Sequence, residues 1–316
     1  MLNLKNKKIL LTGKSGFLGG HVYNQLLKRG VPEKNISTPS SIEFNLKEWE
    51  NCLKVTKNQN IVIHLAAKIG GIGFNKEKPG EIFYDNALMG IQLMEAARVN
   101  GVEKVTTIGT VCAYPKNAPI PFKESSLWDG YPENVTAPYG MAKKMLLVQG
   151  GAYFDQYGFK SIFLLPVNLY GPGDHFESKN SHVMPALIKR IVDAKINSAK
   201  EIVIWGTGKA TREFLYVEDA ARGIVMATER YEKLDPVNLG SGQETSIKSL
   251  VNIISSVVGY KGRVVWDTSK PDGVMRRKLN VSKANKEFGF KAKVGLREGI
   301  KKTADWYLKN HIKNKK

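Results

Sequence analysis

Tyr139 and Lys143 are a pair of side chains with an evident chemistry. They lie four residues apart in a segment of helical period, so both project from one face of the helix that this segment predicts. An ammonium beside a phenol favours the phenolate, which lowers the phenol pKa from about 10 and allows proton exchange with a carbonyl near neutral pH. Pro138 suits a helix start just before the pair. By itself this spacing is more typical of an exposed helix face, so its meaning depends on the surrounding elements.

A glycine-rich turn near the N terminus supplies the first of these elements. Its glycines lie three residues apart, after an apolar strand and before an apolar helix. Glycines here permit a tight turn and let backbone amides approach a pyrophosphate at the helix N terminus. The spacing departs by one residue from Gly-x-Gly-x-x-Gly, and a simple glycine-rich turn is the alternative. Its position favours dinucleotide binding. The predicted cofactor-binding residues of this turn are Gly13, Lys14, Ser15, Gly16, Phe17, Leu18 and Gly19.

The end of the second predicted strand distinguishes NADP from NAD. NAD-binding proteins usually have an acidic residue there, which accepts hydrogen bonds from the ribose hydroxyls. This chain has Ser40 and Ser41 instead, and Lys14 could neutralise a 2′-phosphate or could be a solvated loop lysine. We therefore predict NADP(H) as the cofactor, with Ser40 and Ser41 among its contacts.

The wider sequence alternates short aliphatic runs with segments of helical period, which predicts an α/β protein with a Rossmann-type doubly wound parallel sheet. The predicted strands are Lys8–Thr12, Asn35–Thr38, Ile61–Leu65, Lys104–Gly109, Ser161–Pro166 and Pro236–Leu239, and the predicted helices include Gly16–Arg29, Ile82–Asn100 and Tyr139–Tyr157.

The alternation loosens after Gly171, where Pro172, Gly173 and Pro185 act as breakers. This change predicts a smaller C-terminal lobe that binds the substrate. We expect the Rossmann domain at residues 1–170 with a return near 213–242, and the substrate lobe at 171–212 and 243–316.

Composition limits the classes of protein that the chain can form. Its 316 residues are 42% hydrophobic, as in ordinary globular proteins. Cys52 and Cys112 are too few for a disulfide framework and lack a paired metal-ligand spacing, so we expect reduced thiols and no metal. Apolar runs fall short of the roughly 20 residues that cross a bilayer, and no signal-peptide core follows Met1. We expect a cytoplasmic protein without a membrane partner.

The net charge of +19 is compatible with nucleic acid, a membrane surface or small anionic ligands. The basic residues are scattered along the chain, apart from a dense cluster at 309–316 that predicts a solvated tail. No helix-turn-helix, zinc or RNA-binding signature accompanies the charge. Small anions are therefore favoured over a nucleic-acid partner.

The chain resembles the extended short-chain dehydrogenases/reductases over nearly its whole length. The motifs that carry this resemblance are the glycine turn, His64–Ala67, Gly109–Pro115, the Tyr139/Lys143 pair, Leu165–Pro172, Trp205–Gly208 and Arg212–Phe214. Within that superfamily it is similar to the GDP-L-fucose synthase family at Cys112–Pro115, at Asn180–Val183 followed by Pro185, and at Lys270–Gly273.

The resemblance implies a two-part reaction: epimerisation at carbons 3 and 5 of GDP-4-keto-6-deoxy-D-mannose, then hydride transfer from NADPH to the carbon-4 ketone. Cys112 and His182 match the acid-base pair that would move the acidified protons beside the ketone. Tyr139 would donate a proton to the carbon-4 oxygen, with Lys143 tuning it and holding the nicotinamide ribose. Thr110 stands where the family usually has serine, and its extra methyl group leaves a different sugar open.

The resemblance also implies binding residues at matching positions. Further cofactor contacts are expected from Leu65, Ala66, Ala67, Pro166, Asn168, Leu169 and His182, besides Tyr139 and Lys143. Substrate contacts are expected from Asn168, Arg190, Trp205, Arg212, Arg276 and Arg277. Arg212 matches the position that clamps the nucleotide, Arg276 and Arg277 compete for one role, and Trp205 could equally belong to the core.

The sequence leaves several alternative functions open. A redox-neutral enzyme similar to GDP-mannose 3,5-epimerase would keep a nicotinamide cofactor bound, and a reductase of another GDP-4-keto sugar, such as a GDP-heptose, would fit Thr110. A nucleotide-sensing or nucleic-acid-binding module without catalysis is a third alternative, which rests on the charge alone. Members of the resembled family are usually homodimers with a four-helix interface, so the resemblance implies the same assembly here. The apolar faces of 82–100 and 139–157 are compatible with it.

Overall fold

The computed structural model of the protein describes residues 1–176 and 181–312. Asn180 of the sequence motif and residues 313–316 of the basic tail lie outside this part of the chain. The strands are β1 (Ile9–Thr12), β2 (Ile36–Ser37), β3 (Ile61–His64), β4 (Lys104–Ile108), β5 (Ser161–Pro166), β6 (Asn168–Tyr170), β7 (Glu201–Trp205), β8 (Thr211–Tyr216), β9 (Val237–Leu239), β10 (Glu244–Ser246), β11 (Arg263–Asp267) and β12 (Arg276–Arg277). The helices are α1 (Phe17–Lys28), α2 (Trp49–Thr56), α3 (Ile72–Glu77), α4 (Pro79–Val99), α5 (Ala137–Tyr157), α6 (Val183–Ile196), α7 (Val217–Arg230), α8 (Ile247–Val258), α9 (Ser282–Phe288) and α10 (Leu296–Tyr307).

Six parallel strands form the main sheet in the order β2-β1-β3-β4-β5-β9. Its central strands are buried along their whole length, as expected when helices cover both faces of a parallel sheet. Helix α1 packs with α7, and α4 packs with α2 and α5, which gives two helical layers. The predicted doubly wound α/β fold is confirmed. Within the described residues, no helix has the length and apolar character needed to span a membrane.

The order of the strands reverses between β1 and β3, because the chain builds outward from β1 on one side and from β3 on the other. A crevice opens at the carboxyl ends of the strands at such a switch point, and it is where ligands bind in open α/β sheets. The glycine turn follows β1 and the segment from Leu65 to Ala67 follows β3. Both predicted cofactor segments therefore meet at this edge.

The second lobe combines two small sheets with three helices. Strands β10, β8 and β12 form one sheet, with β6 also paired to β8, while β7 pairs with β11. Helices α6, α8 and α10 pack on one another around a separate apolar cluster, whose fully buried members include Ile188, Ile254 and Ile300.

After the second lobe begins, the chain returns twice to the first core, which is the apolar cluster around the main sheet. Strand β9 joins the main sheet and α7 packs on α1. Residues 279–290 also lie in the first core, through the buried side chains of Leu279, Ala284, Phe288 and Phe290. The sequence predicts this segment in the second lobe, but α9 packs against β9 and α7. The other lobe boundaries stay a prediction.

Glu213 joins these returning segments at the centre of the molecule. Its side chain is fully buried, and its carboxylate accepts hydrogen bonds from the backbone N–H groups of Gly242 and Leu279, each at 2.7 Å. Its backbone carbonyl accepts a third from Asn168 Nδ2 at 2.9 Å. A side chain at Gly240 would lie 2.2 Å from the carboxylate, so only glycine fits there. Burial raises the pKa of the Glu213 carboxyl, and the backbone donors oppose that shift.

We expect Glu213→Gln to lower the free energy of unfolding by about 1–3 kcal/mol, because the new amide group would face a buried backbone N–H and leave it unpaired. Urea unfolding measures the change. The matched control is Glu201→Gln on the exposed edge of β7, where the loss of an ion pair with Arg263 should change stability by less than about 0.5 kcal/mol. Equal losses in the two variants would contradict the role assigned to Glu213.

Candidate active site

Tyr139, Cys112 and Thr110 meet beyond the carboxyl end of β4. Thr110 is buried and caps a short 3-10 turn at Val111–Ala113, where its Oγ1 accepts the N–H of Cys112 at 3.1 Å. Gly140 allows α5 to approach this turn, because a Cβ at this position would lie 2.6 Å from the carbonyl oxygen of Cys112. The close approach brings Tyr139, the residue before Gly140, to the Cys112 turn.

The pKa of Tyr139 moves opposite to the direction that the Tyr139/Lys143 spacing suggests. Burial raises the pKa of the phenol, and the neighbouring Cys112 adds to the shift. Burial also lowers the pKa of Lys143 to about 8, so its charge is itself disfavoured. Desolvation is therefore the main cause of both shifts, and it favours the neutral form of each side chain.

Thr12 and His64 form a hydrogen-bonded support at the switch point, where they are partners in the register of β1 and β3. The Thr12 hydroxyl oxygen accepts the N–H groups of Leu65 and Ala66, each at 3.2 Å. Its own O–H is then directed to His64 Nδ1 at 2.9 Å, which leaves the imidazole proton on Nε2. Burial, aided by the charge of Lys143, lowers the pKa of His64 to about 3, so the ring is neutral.

The sequence motif that contains His64 predicts no particular role for it, and Thr12 carries no distinctive sequence signal of its own. The pairing of the two strands is the signal that indicates Thr12, because this threonine ends one buried strand and faces the histidine that ends the next. His64 Nε2 is a buried donor without a hydrogen-bond partner among the described residues. The edge that carries the predicted cofactor segments thus retains one unused buried donor close to Lys143.

The glycine turn has the geometry of an anion cradle. Gly13 has a φ of +73°, and a Cβ there would lie 2.7 Å from Ala66 N, so the turn and the segment after β3 are in direct contact. A Cβ at Gly19 would lie 1.9 Å from Gly13 O, which makes glycine obligatory at both positions. Gly16 is the N-cap of α1. The exposed backbone of the turn and the helix N terminus fit a pyrophosphate.

The residues predicted to contact a 2′-phosphate lie on the surface beside this turn. Lys14 Nζ lies 5.0 Å from the ring centroid of Tyr23, whose hydroxyl donates to Glu33 at 2.5 Å. Ser40 and Ser41 are exposed after β2, and Ser40 Oγ accepts the N–H of Ile42 at 3.2 Å. Their contact with the cofactor stays a prediction.

The structure separates the two competing arginines of β12. Arg276 forms a two-pronged ion pair with Glu244, from Nε at 2.9 Å and from Nη2 at 2.8 Å. Arg277 lies in register with Arg212 of β8 and reaches Cys112, with 3.4 Å between Nη1 and Sγ. Burial, and then the charge of Arg277, lowers the pKa of Arg212 to about 10. Arg277, rather than Arg276, therefore lies beside Cys112.

The remaining predicted substrate residues lie around the second lobe. Trp205 is 64% exposed at the end of β7 and is not a core residue. The loop after it is tied to Asp272, which accepts the Thr207 N–H at 2.7 Å. Arg190 is also exposed and donates to Val203 O at 2.6 Å, while Asn168 is committed to Glu213 through its Nδ2.

His182 is the N-cap of α6, and Pro166 and Leu169 lie at the junction of β5 and β6. His182 keeps access to solvent, although nearby atoms remove part of the hydration of its ring. This desolvation, with the charge of His175, lowers the pKa of His182. Its pairing with Cys112 and its cofactor contact stay predictions. In the part of the chain that the structure describes, no three His, Cys, Asp or Glu side chains cluster as a metal site would require.

A doubly wound sheet with a glycine turn at its switch point and a buried Tyr–Lys pair defines a nucleotide-cofactor enzyme of the short-chain dehydrogenase/reductase type. The chain belongs to the NAD dependent epimerase/dehydratase family, whose model matches residues 9–240.

Proteins similar to this chain include enzymes of GDP-sugar metabolism. A probable GDP-L-fucose synthase 1 from Oryza sativa subsp. japonica is 38% identical, over 99% of this chain and 95% of the relative. The crystal structure of a GDP-L-fucose synthetase from Naegleria fowleri bound to NADP has a TM-score of 0.88 at 28% identity, covering 98% of this chain and 95% of that one. A GDP-D-glycero-L-gluco-heptose synthase from Campylobacter jejuni, crystallised in the presence of NADPH, has a TM-score of 0.88 at 27% identity, covering 97% and 99%.

The burial of Lys143 gives a testable cost in stability. Its pKa of about 8 lies below the usual 10.5, so the unfolded chain binds more protons between these pH values and stability rises with pH across that window. The full cost therefore applies below pH 8. Lys143→Met should raise the free energy of unfolding of the ligand-free protein by about 1–3 kcal/mol at pH 7, since it removes a buried charge at similar volume.

Chemical unfolding at pH 7 and pH 10 measures this effect, and the gain should shrink at the higher pH. Tyr139→Phe is the control, because it keeps the Lys143 ammonium and should leave the pH dependence in place. A Lys143→Met variant that is no more stable than the wild type at pH 7 would overturn the assignment.

Proposed function

We propose that the protein is an NADPH-dependent epimerase-reductase that converts GDP-4-keto-6-deoxy-D-mannose to GDP-L-fucose. The observation that carries this function is the close approach of α5 to the Cys112 turn at Gly140, which brings Tyr139 near enough to Cys112 for the two groups to interact electrostatically. One group suits proton removal from a ring carbon, and the other suits proton donation to a carbonyl oxygen. The 38% identity to a probable GDP-L-fucose synthase over nearly the full length supports the choice of substrate.

NADP(H) is the cofactor, and it supplies a hydride when bound. The glycine turn and the N terminus of α1 would hold its diphosphate, with Leu65, Ala66 and Ala67 lining the crevice beside it. Lys143, which lies near the neutral His64 ring, would hold the nicotinamide ribose. The NADP-bound relative from Naegleria fowleri supports this assignment.

Epimerisation uses the acidity of the C–H bonds beside the ketone. Cys112 removes the proton as a thiolate, and the C–H electron pair forms an enolate whose charge rests on the ketone oxygen. Thr110 and Tyr139 donate hydrogen bonds to that oxygen, which lowers the barrier. His182 returns a proton to the opposite face of the ring carbon, and this inverts its configuration.

The reduction step acts on the same ketone, whose oxygen receives a proton. As the hydride reaches carbon 4, Tyr139 transfers its phenolic proton to the developing alkoxide. The burial that raises the pKa of Tyr139 keeps the phenol protonated until that step. The Lys143 cation then stabilises the phenolate that remains.

A reductase of a GDP-4-keto-heptose is the second candidate. It is favoured by the similarity to the Campylobacter jejuni heptose synthase and by Thr110, which stands where the resembled family usually has serine and carries one more methyl group. Parallel assays of NADPH absorbance with the two 4-keto substrates separate the candidates. We expect kcat/KM for the 6-deoxyhexose to exceed that for the heptose by about 10-fold or more. A folded protein that oxidises no NADPH with the 6-deoxyhexose would contradict the proposal.

Cys112→Ser should separate the two half-reactions. The anion of residue 112 is the base that removes the ring proton, and a serine hydroxyl ionises far less readily than a thiol. Exchange of ring hydrogens with D₂O should therefore fall by about 100-fold or more. Hydride transfer to the ketone should continue and give a sugar with unchanged configuration at carbons 3 and 5. The matched control is Cys52→Ser, which replaces a buried thiol in α2 and should keep both activities. Equal loss of exchange and reduction in Cys112→Ser would refute the division of roles.

We further propose that the protein is a homodimer that joins α4 and α5 of two copies. Two large apolar side chains on these helices are exposed to solvent: Tyr84 on α4 is 59% exposed and Val148 on α5 is 56% exposed. The two helices approach closely at Gly90, where a Cβ would lie 2.6 Å from the Leu146 side chain. Two such helix pairs can bury their outer faces in a four-helix interface.

Val148→Glu should convert the dimer to a monomer, because a carboxylate would be desolvated at the centre of the interface. Light scattering after size exclusion gives the molecular mass. Ile196→Glu is the control, because it adds the same charge at a 46% exposed apolar residue of α6 and should remain dimeric. A monomeric wild type, or a dimeric Val148→Glu, would argue against this interface.

A further inference from the structure

The sulfur of Cys112 has one polar contact in the described residues, the guanidinium of Arg277. Arg277 Nη1 lies 3.4 Å from Sγ, with both side chains partly buried. The backbone N–H of Cys112 is held by Thr110 on the other side. The thiol is therefore oriented between a hydroxyl that fixes its backbone and a permanent cation that faces its sulfur.

The segment that carries Arg277 is fixed from two directions. Leu279 N donates to the buried Glu213 carboxylate at 2.7 Å. On the opposite side, Phe122 N donates to Lys278 O and Asn280 N donates to Phe122 O, each at 2.8 Å. Because these backbone contacts hold residues 278–280, the backbone that carries Arg277 is fixed, and its guanidinium reaches Cys112 from a rigid segment.

The two neighbouring arginines have different environments because successive residues of a strand point to opposite faces. Arg276 faces Glu244, which neutralises it, and its side chain is 54% exposed. Arg277 faces the pocket together with Arg212, its register partner, and their like charges disfavour one another. A negative charge between them would relieve this repulsion.

We propose that Arg277 is a positioning residue that holds the Cys112 sulfur in the thiolate form that removes the ring proton, an inference that rests on the proposed epimerase-reductase function. The guanidinium is a cation that donates a hydrogen bond to sulfur, so it stabilises the negative sulfur without entering the proton transfer. The proton moves from carbon to Sγ, and the C–H electron pair becomes that of the enolate. Arg212 remains free for the diphosphate of the substrate.

Alkylation of the free enzyme tests the pair without substrate. In a Cys52→Ser background, iodoacetamide reacts with Cys112 alone, and mass spectrometry gives the rate at pH 7. Arg277→Gln should slow alkylation by about fivefold or more, and Arg277→Lys should restore most of the rate, because only the thiolate reacts. The control Arg297→Gln removes an exposed guanidinium on α10 that contacts Ser256, and it should leave the rate unchanged.

The same variants are then compared for exchange of ring hydrogens of GDP-4-keto-6-deoxy-D-mannose in D₂O. Arg277→Gln should lower exchange by about tenfold or more and spare NADPH-dependent reduction, with recovery in Arg277→Lys. Thermal unfolding verifies the fold, and Arg277→Met replaces the Gln variant if that one does not fold. Alkylation and exchange equal to those of Arg297→Gln would overturn the role of Arg277. A wild type that oxidises no NADPH would instead overturn the proposed function, while alkylation would still decide the contact between Arg277 and Cys112.

Discussion

The buried carboxylate of Glu213 is the constraint on which the arrangement of the site depends. A buried acceptor of this kind costs free energy unless it is paired, so the backbone donors of Gly242 and Leu279 must come to it. These donors belong to the turn after β9 and to the segment after β12, which are distant in the sequence. Their convergence fixes β8 and β12 side by side, and it thereby places Arg277 against the Cys112 turn of the first lobe, with Arg212 as its register partner.

Desolvation then sets the chemistry of each group in the pocket. The same burial raises the pKa of Tyr139, lowers that of Lys143 to about 8 and lowers that of His64 to about 3. The phenol is therefore protonated, the imidazole is neutral, and the ammonium binds its proton more weakly than a solvated lysine does. These protonation states suit proton donation to a carbonyl oxygen. The ligand-free fold bears the cost of burying them, as is common where a site is built for function rather than for stability.

Local patterns predicted the fold and part of the site. The strands, the glycine turn and the Tyr139/Lys143 pair follow from periodicity and short spacings, and these are features that neighbouring residues determine. The contact between Arg277 and Cys112 joins residues 165 positions apart, so no local pattern reports it. The return of α9 to the first core and the sign of the Tyr139 shift were missed for a related reason, because both depend on tertiary burial.

The most direct test of the account is the reaction of GDP-4-keto-6-deoxy-D-mannose with NADPH and the wild-type enzyme in D₂O, followed by NMR and mass analysis of the product. We predict that each GDP-L-fucose formed carries solvent deuterium at carbons 3 and 5 and corresponds to one NADPH oxidised. A reduced product without ring deuterium, or a deuterated product formed without oxidation of NADPH, would contradict the claim that one pocket performs both epimerisation and reduction.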